Sequence, residues 1–281
     1  MKRVLHRQPV GVARTAVLIA AARANEQRHL DRLFDDPLAA PLVRAAGSAT
    51  DLSGVRNLAG DHFVLRTRYF DDYLSTATTT AGCTQVVIMA SGLDTRAYRL
   101  PWRPGTSVFE IDLPDLLDFK QQALDALEAA PSCERVAVAC DLREDWPRAL
   151  FEAGFDPRKP TAWLLEGLLM FLPVDAVEQL LRLVGGLSAA GSRIALEHVN
   201  RAFRDLPQMR AVHDRFDELD ARWQSDVENP VEWLGRHGWT AATTHQSELA
   251  TRHNRSIPAI TDPVKVGDAR IWLAQGVRNE M

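Results

Sequence analysis

The chain of 281 residues is 46% hydrophobic and 25% charged, with a formal net charge of −4 at pH 7. The acidic balance argues against general nucleic-acid binding and gives no attraction to anionic membranes. The three cysteines, Cys83, Cys133 and Cys140, form no Cys-x-x-Cys pair and no disulfide framework. We therefore expect a protein of the reducing cytoplasm without a metal site.

A short apolar run near the N-terminus is the one candidate targeting signal. Residues 16–22 are small and apolar and lie between Arg14 and Arg23. The run is short for the core of a signal peptide, so we interpret residues 12–29 as an amphipathic helix. No run in the sequence is long enough to span a bilayer.

Two further helices are predicted before the first strand. Pro37 is expected to open a helix capped by Asp36, and residues 47–60, rich in Gly, Ser, Thr and Asp, are expected to form a loop. Residues 61–77 carry apolar side chains at helical spacing. Arg66 lies at the edge of that apolar stripe, where it is either a solvated surface residue or part of a site.

A strand and a turn of small residues follow. Residues 86–89 are apolar and mostly β-branched, which is typical of a central parallel strand, and Ala90, Ser91 and Gly92 come next. Open α/β sheets bind nucleotide-like ligands beyond the carboxyl ends of their strands. A plain strand-to-helix turn that uses glycine for its geometry explains the same residues.

The next two strands also end at acids. Asp112 closes a strand that begins near residue 106 and lies about twenty positions beyond the turn, the offset of the acid that binds ribose in nucleotide-binding α/β folds. Asp112 could instead cap the following helix. The third strand is predicted within residues 135–143 and again ends in an acid, Asp141. Repetition of the pattern favours a ligand site at this edge of the sheet.

Glu166 stands inside the apolar run of residues 161–173, the predicted fourth strand and its exit. A buried carboxylate is costly unless it is paired or hydrogen-bonded. It therefore needs a partner, such as a ligand amine, Arg66 or backbone amides.

The last third of the chain changes character. Residues 192–199 are predicted as the fifth strand, which closes with Glu197 and His198. Residues 201–224 are charged and are predicted to be helical, and the segment 201–230 forms either an insertion that covers a site or an ordinary crossover helix. Residues 239–244 and 269–277 are predicted as the last two strands, with a loop between them.

Alternation of seven strands with helices predicts one doubly wound, mostly parallel α/β sheet with an antiparallel edge strand, preceded by helices. We divide this single domain into an N-terminal helical part (1–80), a ligand-binding core (81–200), a helical cap insertion (201–230) and the last helix and strands (231–281).

Two cofactor classes suit such a sheet. A dinucleotide site calls for Gly-x-Gly-x-x-Gly, whereas the turn beginning at Ala90 keeps only Gly92. S-adenosylmethionine has no phosphate; it needs a small-residue turn, an acid for its ribose and polar partners for its adenine, amine and carboxylate. The residues present meet this second list better.

Seven motifs together resemble the leucine carboxyl methyltransferase family, in particular its actinobacterial branch of S-adenosylmethionine-dependent methyltransferases. That family also includes polyketide O-methyltransferases of the tetracenomycin type. The matching motifs occur in family order at residues 13–16, 34–39, 66–74, 92–100, 110–114, 140–143 and 166–172. The resemblance implies a Rossmann-like class I methyltransferase fold and S-adenosylmethionine as cofactor.

The resemblance also implies a cofactor site. Its residues would be Arg66, Ala90, Ser91, Gly92, Asp112, Leu113, Asp141, Leu142 and Glu166. Arg66 would pair with the carboxylate of the cofactor, Gly92 would lie under its methionine part, and Glu166 would lie near its amine. Asp112 would hold the ribose hydroxyls.

Adenine would lie between Asp141, as a hydrogen-bond partner, and Leu142, as a packing surface. The chain departs from the family at two positions, because the family usually has Gly in place of Ala90 and often Ala in place of Ser91. A weakened cofactor site is one reading of this departure.

The expected reaction is O-methylation of a small molecule, foremost at a carboxylate, with a possible place in natural-product biosynthesis. A carboxylate is already ionised at neutral pH, whereas a phenol or alcohol benefits from a base, for which His198 is the candidate. His198 could equally be a plain strand-end histidine. The alternatives are methylation of a protein C-terminus, a non-catalytic ligand-binding protein with this fold, and a nicotinamide-dependent oxidoreductase.

Overall fold

The computed structural model of the chain describes Pro9, Gly11, residues 13–47 and residues 53–279, without the side chains of Ser53 and residues 55–58. Within this part the helices are α1 (Ala13–Glu26), α2 (Ala39–Ala45), α3 (Ser53–Thr79), α4 (Arg96–Arg99), α5 (Pro114–Asp125), α6 (Trp146–Glu152), α7 (Val174–Gly186), α8 (Arg201–Arg204), α9 (Arg210–Asp217), α10 (Pro230–Arg236), α11 (Gln246–Arg252) and α12 (Pro263–Val266). None of them is long and apolar enough to cross a membrane.

Seven strands form one mixed sheet. They are β1 (Gln85–Met89), β2 (Ser107–Asp112), β3 (Glu134–Ala139), β4 (Thr161–Leu165), β5 (Arg193–Val199), β6 (Trp239–Thr244) and β7 (Ile271–Arg278), in the order β3-β2-β1-β4-β5-β7-β6. The strands from β3 to β5 are parallel, and β7 is antiparallel to both of its neighbours. The predicted fold class, with antiparallel pairing at one edge, is confirmed; the reversed strand is second from that edge.

The centre of the sheet positions the site. Strands β1 and β4 are buried at every position, as expected for strands covered by helices on both faces. The strand order reverses between them, so that β2 and β3 follow on one side and β5 on the other. Turns and side chains beyond the carboxyl ends of these strands therefore meet at the topological switch point.

The predicted loop at residues 47–60 is wrong over its second half. Helix α3 begins at Ser53, eight residues before the expected start, while residues 48–52 lie outside the described part. Ala59 is buried in the same cluster as Phe63. Packing of this face stabilises the helix despite the poor helix propensity of Gly54 and Gly60.

Residues 201–224 do not form the continuous helix that the sequence indicates. They form α8, a 3₁₀ helix (Pro207–Met209) and α9, because Pro207 cannot continue a helix. Residues 221–228 then run without regular structure, and Gln224 N donates to Met170 O at 2.7 Å. The segment expected to be a loop before the last strand contains α11 and α12.

Candidate functional site

The turn after β1 and the acid at the end of β2 form one hydrogen-bonded unit. The amide of Gly92 donates to Oδ2 of Asp112 at 2.6 Å, and the amide of Leu113 donates to Oδ1 at 2.7 Å. Ser91 N donates to the carbonyl of Ile111, which holds the turn against β2. Burial raises the pKa of Asp112, and the two amide donors oppose that rise. The structure thus joins two positions that the sequence analysis could connect only by spacing.

Two residues of the turn have a left-handed backbone. Gly92 has φ of +50°, and a Cβ there would lie 2.9 Å from the Cβ of Ala16 in α1. Ala90 has φ of 53°, a conformation that a side chain disfavours. The buried hydroxyl of Ser91 has no hydrogen-bond partner in the described part of the chain. This turn is therefore shaped for close approach and leaves one polar atom for a further partner.

Asp141 and Leu142 lie at the carboxyl end of β3, beside this unit. The amide of Cys140 donates to the carbonyl of Asp112 at 3.0 Å, which ties the ends of the two strands together. Hydrogen bonds from Arg143 lower the pKa of Asp141. Both residues are half-buried, so their side chains form a partly open edge of the site.

Arg66 bridges the ends of β4 and β5. Its Nε donates to Glu166 Oε1 at 2.9 Å, and its Nη1 donates to Glu197 Oε2 at 2.6 Å. The amide of Gly167 also donates to Glu197 Oε2, at 3.1 Å. Arg66 is therefore buried and ion-paired, and the alternative of a solvated surface arginine is wrong because its side chain is 5% exposed.

A second arginine continues this network. Arg96 donates through Nη1 to Glu166 Oε2 at 2.8 Å and to Asp94 Oδ2 at 2.5 Å, and through Nε to Asp71 Oδ1 at 2.7 Å. Arg99 donates to both carboxylate oxygens of Asp71. Burial disfavours the charge of Arg96, but the three carboxylates raise its pKa above the ordinary value.

We call these linked side chains the buried ion cluster: Arg66, Asp71, Asp94, Arg96, Arg99, Glu166 and Glu197. Four carboxylates face three guanidinium groups in this cluster, and the ion pairs of Asp36 with Arg99 and Arg23 add one of each, so the linked side chains carry one net negative charge. A buried charge that lacks a counterion is unfavourable. The cluster is therefore suited to a cationic ligand.

Sequence reasoning assigned no role to His62. Its Nε2 lies 3.0 Å from Glu197 Oε1, and Gln246 Nε2 approaches its Nδ1. This pattern assigns the proton to Nε2, which donates to Glu197. Burial, the largest influence, raises the pKa of Glu197, but the charge of Arg66 and the hydrogen bonds from His62 and Arg66 hold it at about 2. The four-residue spacing of His62 and Arg66 on one helix face was the available signal.

An apolar cavity begins at these polar side chains, with about 670 Å³ of empty space that includes open solvent at its mouth. It is lined by Thr15, Leu18, Ile19, Ala59, His62, Phe63, Arg66, Gly167, Met170, Phe171, Glu197, Val199, Phe203, Met209, Val212, Phe216, Trp223, Ile260 and Ile271. The ionisable side chains of this lining lie at the carboxyl ends of β4 and β5, and the rest of the wall is apolar apart from Thr15 and the indole nitrogen of Trp223.

His198 is not brought to this cavity. Side chains of successive strand residues face opposite sides of a sheet, and Glu197 takes the side that faces α3. The His198 ring packs against Trp233 in α10, and its Nε2 lies 3.5 Å from the hydroxyl of Ser225. Burial lowers the pKa of His198 to about 4. We therefore assign it no role as a base.

The chain is similar in sequence to a known protein family and to individual proteins over most of its length. A family model described as leucine carboxyl methyltransferase matches residues 16–185. A relative named "putative S-adenosyl-L-methionine-dependent methyltransferase", from Parafrankia sp., is 43% identical over 264 residues, which cover 90% of this chain and 84% of the relative. A relative of the same name from Mycobacterium marinum is 43% identical over 286 residues, with 90% and 87% covered.

Solved structures share the fold at low sequence identity. A protein titled a putative methyltransferase, from Thermobifida fusca, superimposes with a TM-score of 0.63 at 16% identity, covering 99% of this chain and 98% of that chain. A DUF574 family protein from Streptomyces avermitilis gives 0.62 at 14% identity, with 94% and 97% covered. The family model spans more than half of the chain and the relatives cover most of it, so the chain belongs to the leucine carboxyl methyltransferase family.

Proposed function

We propose that this protein is an S-adenosylmethionine-dependent O-methyltransferase that converts a carboxylate of a small molecule into its methyl ester. Family membership supports a methyltransferase, and the names of the relatives support the methyl donor. The observation that carries the proposal is the net negative buried ion cluster beside the turn at Gly92. S-adenosylmethionine, with a sulfonium, an ammonium and a carboxylate, has the complementary net charge of +1.

The residues present fit this cofactor. Gly92 would lie under the methionine part, and Asp112 would accept hydrogen bonds from the ribose hydroxyls while keeping its amide donors. Arg66 would bind the carboxylate of the cofactor and Glu166 its ammonium group. When bound, the cofactor supplies a methyl group whose bond to sulfur breaks as the acceptor oxygen attacks.

Adenine would lie against Asp141 and Leu142 at the partly open edge of the site. The unpartnered hydroxyl of Ser91 supplies a further hydrogen bond toward the cofactor. Ala90 and Leu113 contribute through the backbone of the two turns. This assignment places the methionine part next to Arg66 and Gly167, where the apolar cavity begins.

A carboxylate acceptor follows from the state of the titratable side chains on the described cavity wall. Both ring nitrogens of His62 are already engaged, and Glu197 accepts three hydrogen bonds and has a pKa of about 2. Neither is poised to remove a proton from a phenol or alcohol. An acceptor that is ionised at neutral pH needs only positioning and exclusion of water.

The cavity also favours a small molecule over a protein C-terminus, because a concave and mostly apolar site suits a compact ligand. We propose that residues 201–230 act as its cap, since five of them line it: Phe203, Met209, Val212, Phe216 and Trp223. The resemblance to a family that includes polyketide O-methyltransferases supports the proposal of a role in natural-product biosynthesis. A nicotinamide cofactor is disfavoured, because only Gly92 of the three glycines is present.

The test is methyl transfer from S-adenosylmethionine carrying a radiolabelled methyl group to a panel of small carboxylic acids, phenols and alcohols. We expect label in an organic product and its release by mild base, which hydrolyses methyl esters but not methyl ethers. Base-stable label would contradict the carboxylate assignment. Cofactor binding without transfer to any acceptor would favour the non-catalytic ligand-binding protein.

A further inference from the structure

We propose that the methyl acceptor is a monocarboxylic acid whose body is apolar where it lies against the aliphatic and aromatic side chains of the cavity. The inference rests on the proposed function and narrows its substrate class. It follows from which polar atoms face the cavity and from how those atoms are already paired.

The ionisable groups of the described cavity wall lie together at one end and are bound to one another. Glu197 accepts hydrogen bonds from Arg66, Gly167 and His62. The side-chain amide of Gln246 contacts the remaining ring nitrogen of His62, and Nε of Arg66 donates to Glu166. The methionine part of the cofactor is proposed to lie at this end, so the acceptor carboxylate must lie here as well.

Apart from Thr15 and the indole nitrogen of Trp223, the side chains of the rest of the described wall are aliphatic or aromatic. Trp223 contacts Phe171 edge-on, with ring centroids 6.3 Å apart, and stacks on Phe203 at the same separation. Phe216 contacts both Phe171 and Trp223. Such a wall offers apolar area and ring faces to a ligand, with little opportunity for hydrogen bonds.

This wall is held in place by backbone contacts. Gln224, next to Trp223, donates its amide to Met170 O and its side-chain amide to Phe171 O, each at 2.7 Å. Ser225 Oγ donates to Leu169 O at 2.8 Å. The aromatic side chains are therefore fixed against the end of β4, and rearrangement to satisfy a polar ligand would break these bonds.

A polar group on the body of the acceptor that reaches neither Thr15 nor the indole N–H of Trp223 would consequently be buried without a partner. A hydroxyl buried in this way loses its hydrogen bonds to water, and such a loss typically reduces transition-state binding by about 10- to 100-fold. A second carboxylate would suffer a larger penalty.

The experiment measures kcat/KM for matched pairs of acids with the full-length protein and S-adenosylmethionine. Straight-chain acids of six to twelve carbons and phenylalkanoic acids are each paired with an analogue hydroxylated far from the carboxylate. For each apolar acid that the enzyme methylates, we expect kcat/KM to be about 10- to 100-fold higher than for its hydroxylated partner. Equal or higher values for the hydroxylated partners would overturn the inference.

A variant tests whether the described wall causes the preference. Val212→Thr adds one hydroxyl to the cavity wall with little change of volume. We expect it to reduce the ratio of kcat/KM for an apolar acid to kcat/KM for its hydroxylated partner by at least about threefold. Val177→Thr is the matched control, because Val177 is a buried valine of α7 outside the lining. An unchanged preference in a folded Val212→Thr protein would contradict the assignment of this wall.

Calorimetry separates failure of the inference from failure of the proposed function. Apolar acids titrated into the protein saturated with S-adenosylhomocysteine should bind with a negative heat-capacity change, the mark of apolar burial. Methylation confined to polar acids would overturn the inference and leave the carboxyl methyltransferase intact. Absence of transfer to every acid, polar or apolar, would instead overturn the carboxylate acceptor itself.

Discussion

Arg66 and Glu197 stand 131 positions apart in the sequence, yet Nη1 of the arginine donates to Oε2 of the glutamate at 2.6 Å. Their side chains are 5% and 2% exposed. The pair connects α3 of the N-terminal helical part to the carboxyl end of β5, at the polar end of the cavity. It therefore contributes both to the stability of the fold and to the charge of the site.

Removing one member of this pair should strongly destabilise the protein, because the partner is left as an incompletely compensated buried charge. We expect Glu197→Leu to lower the free energy of unfolding by about 3–5 kcal/mol, measured by urea denaturation. Arg66→Met combined with Glu197→Leu should cost less than the two single changes added together.

The exposed pair of Arg148 and Glu152 on α6 is the control for this cycle. Its side chains are 75% and 64% exposed, so Glu152→Leu should change the free energy by no more than about 1 kcal/mol. Equal, small effects at Glu197 and Glu152 would contradict a stabilising role for the buried pair.

His198 should make stability depend on pH. Burial lowers its pKa in the folded protein to about 4 from the ordinary 6.5, so the unfolded chain binds a proton first as the pH falls. The stability that comes from the neutral ring is present above pH 6.5 and declines below it, by about 2 kcal/mol between pH 6.5 and 5. Urea denaturation at both values should show this loss in the wild type and not in His198→Gln.

The same variant separates a structural histidine from a catalytic base. His198→Gln should retain methyl transfer within about threefold at pH 8, whereas loss of a general base typically costs about 100-fold or more. A fall of that size in kcat with KM unchanged would contradict the position of His198 on the other face of the sheet.

Ala90→Gly should stabilise the turn after β1. Alanine in the left-handed region costs about 1–2 kcal/mol of stability. Glycine removes this cost but lowers the stability by about 0.5–1 kcal/mol, because its unfolded chain has more conformational freedom. We expect a net gain of about 0.5–1 kcal/mol and a rise in Tm of about 2 °C, measured by thermal denaturation. Ala126→Gly is the control, because Ala126 is exposed and has φ of −65°, so this change should destabilise. A loss of stability in Ala90→Gly would contradict the strained backbone.

Gly92→Ala should be damaging in both stability and cofactor binding. The added methyl group meets φ of +50° and the Cβ of Ala16 at 2.9 Å, at a combined cost of about 2–4 kcal/mol. Gly186→Ala is the matched control, because that helical glycine is exposed and has nothing within 4 Å of a Cβ. If the two variants unfold at the same urea concentration, the close approach of α1 to the turn is not a constraint.

The sheet was predictable from sequence because its strands are short apolar runs that end at small or acidic residues. All seven are present, and Trp239–Thr244 has the predicted bounds. The helices were less predictable where tertiary packing outweighs local propensity. Burial of Ala59 extends α3 through a glycine-containing stretch, and Pro207 divides a segment whose apolar periodicity indicated one helix.

A residue of the candidate site was predictable from sequence only where its side chain and position indicated a single role. The small turn and Asp112 met that condition, and the structure joins them by a hydrogen bond. Glu197 did not, because its neighbour His198 has the more familiar catalytic side chain, and only strand parity decides which of the two faces α3. Arg96 acquires its role from Glu166, 70 positions away, which local spacing cannot reveal, whereas the four-residue spacing from Arg66 was a signal for His62.

The measurement that tests the account most directly is calorimetric titration of S-adenosylmethionine into the wild type, Asp112→Asn and Asp118→Asn. Asp118 is an exposed acid on α5, six residues from Asp112, and controls for the lost charge. We predict binding to the wild type, weakening by about 10- to 100-fold in Asp112→Asn, and no change in Asp118→Asn. A folded wild type that binds no S-adenosylmethionine, or an Asp112→Asn protein that binds it as tightly as the wild type, would contradict the account.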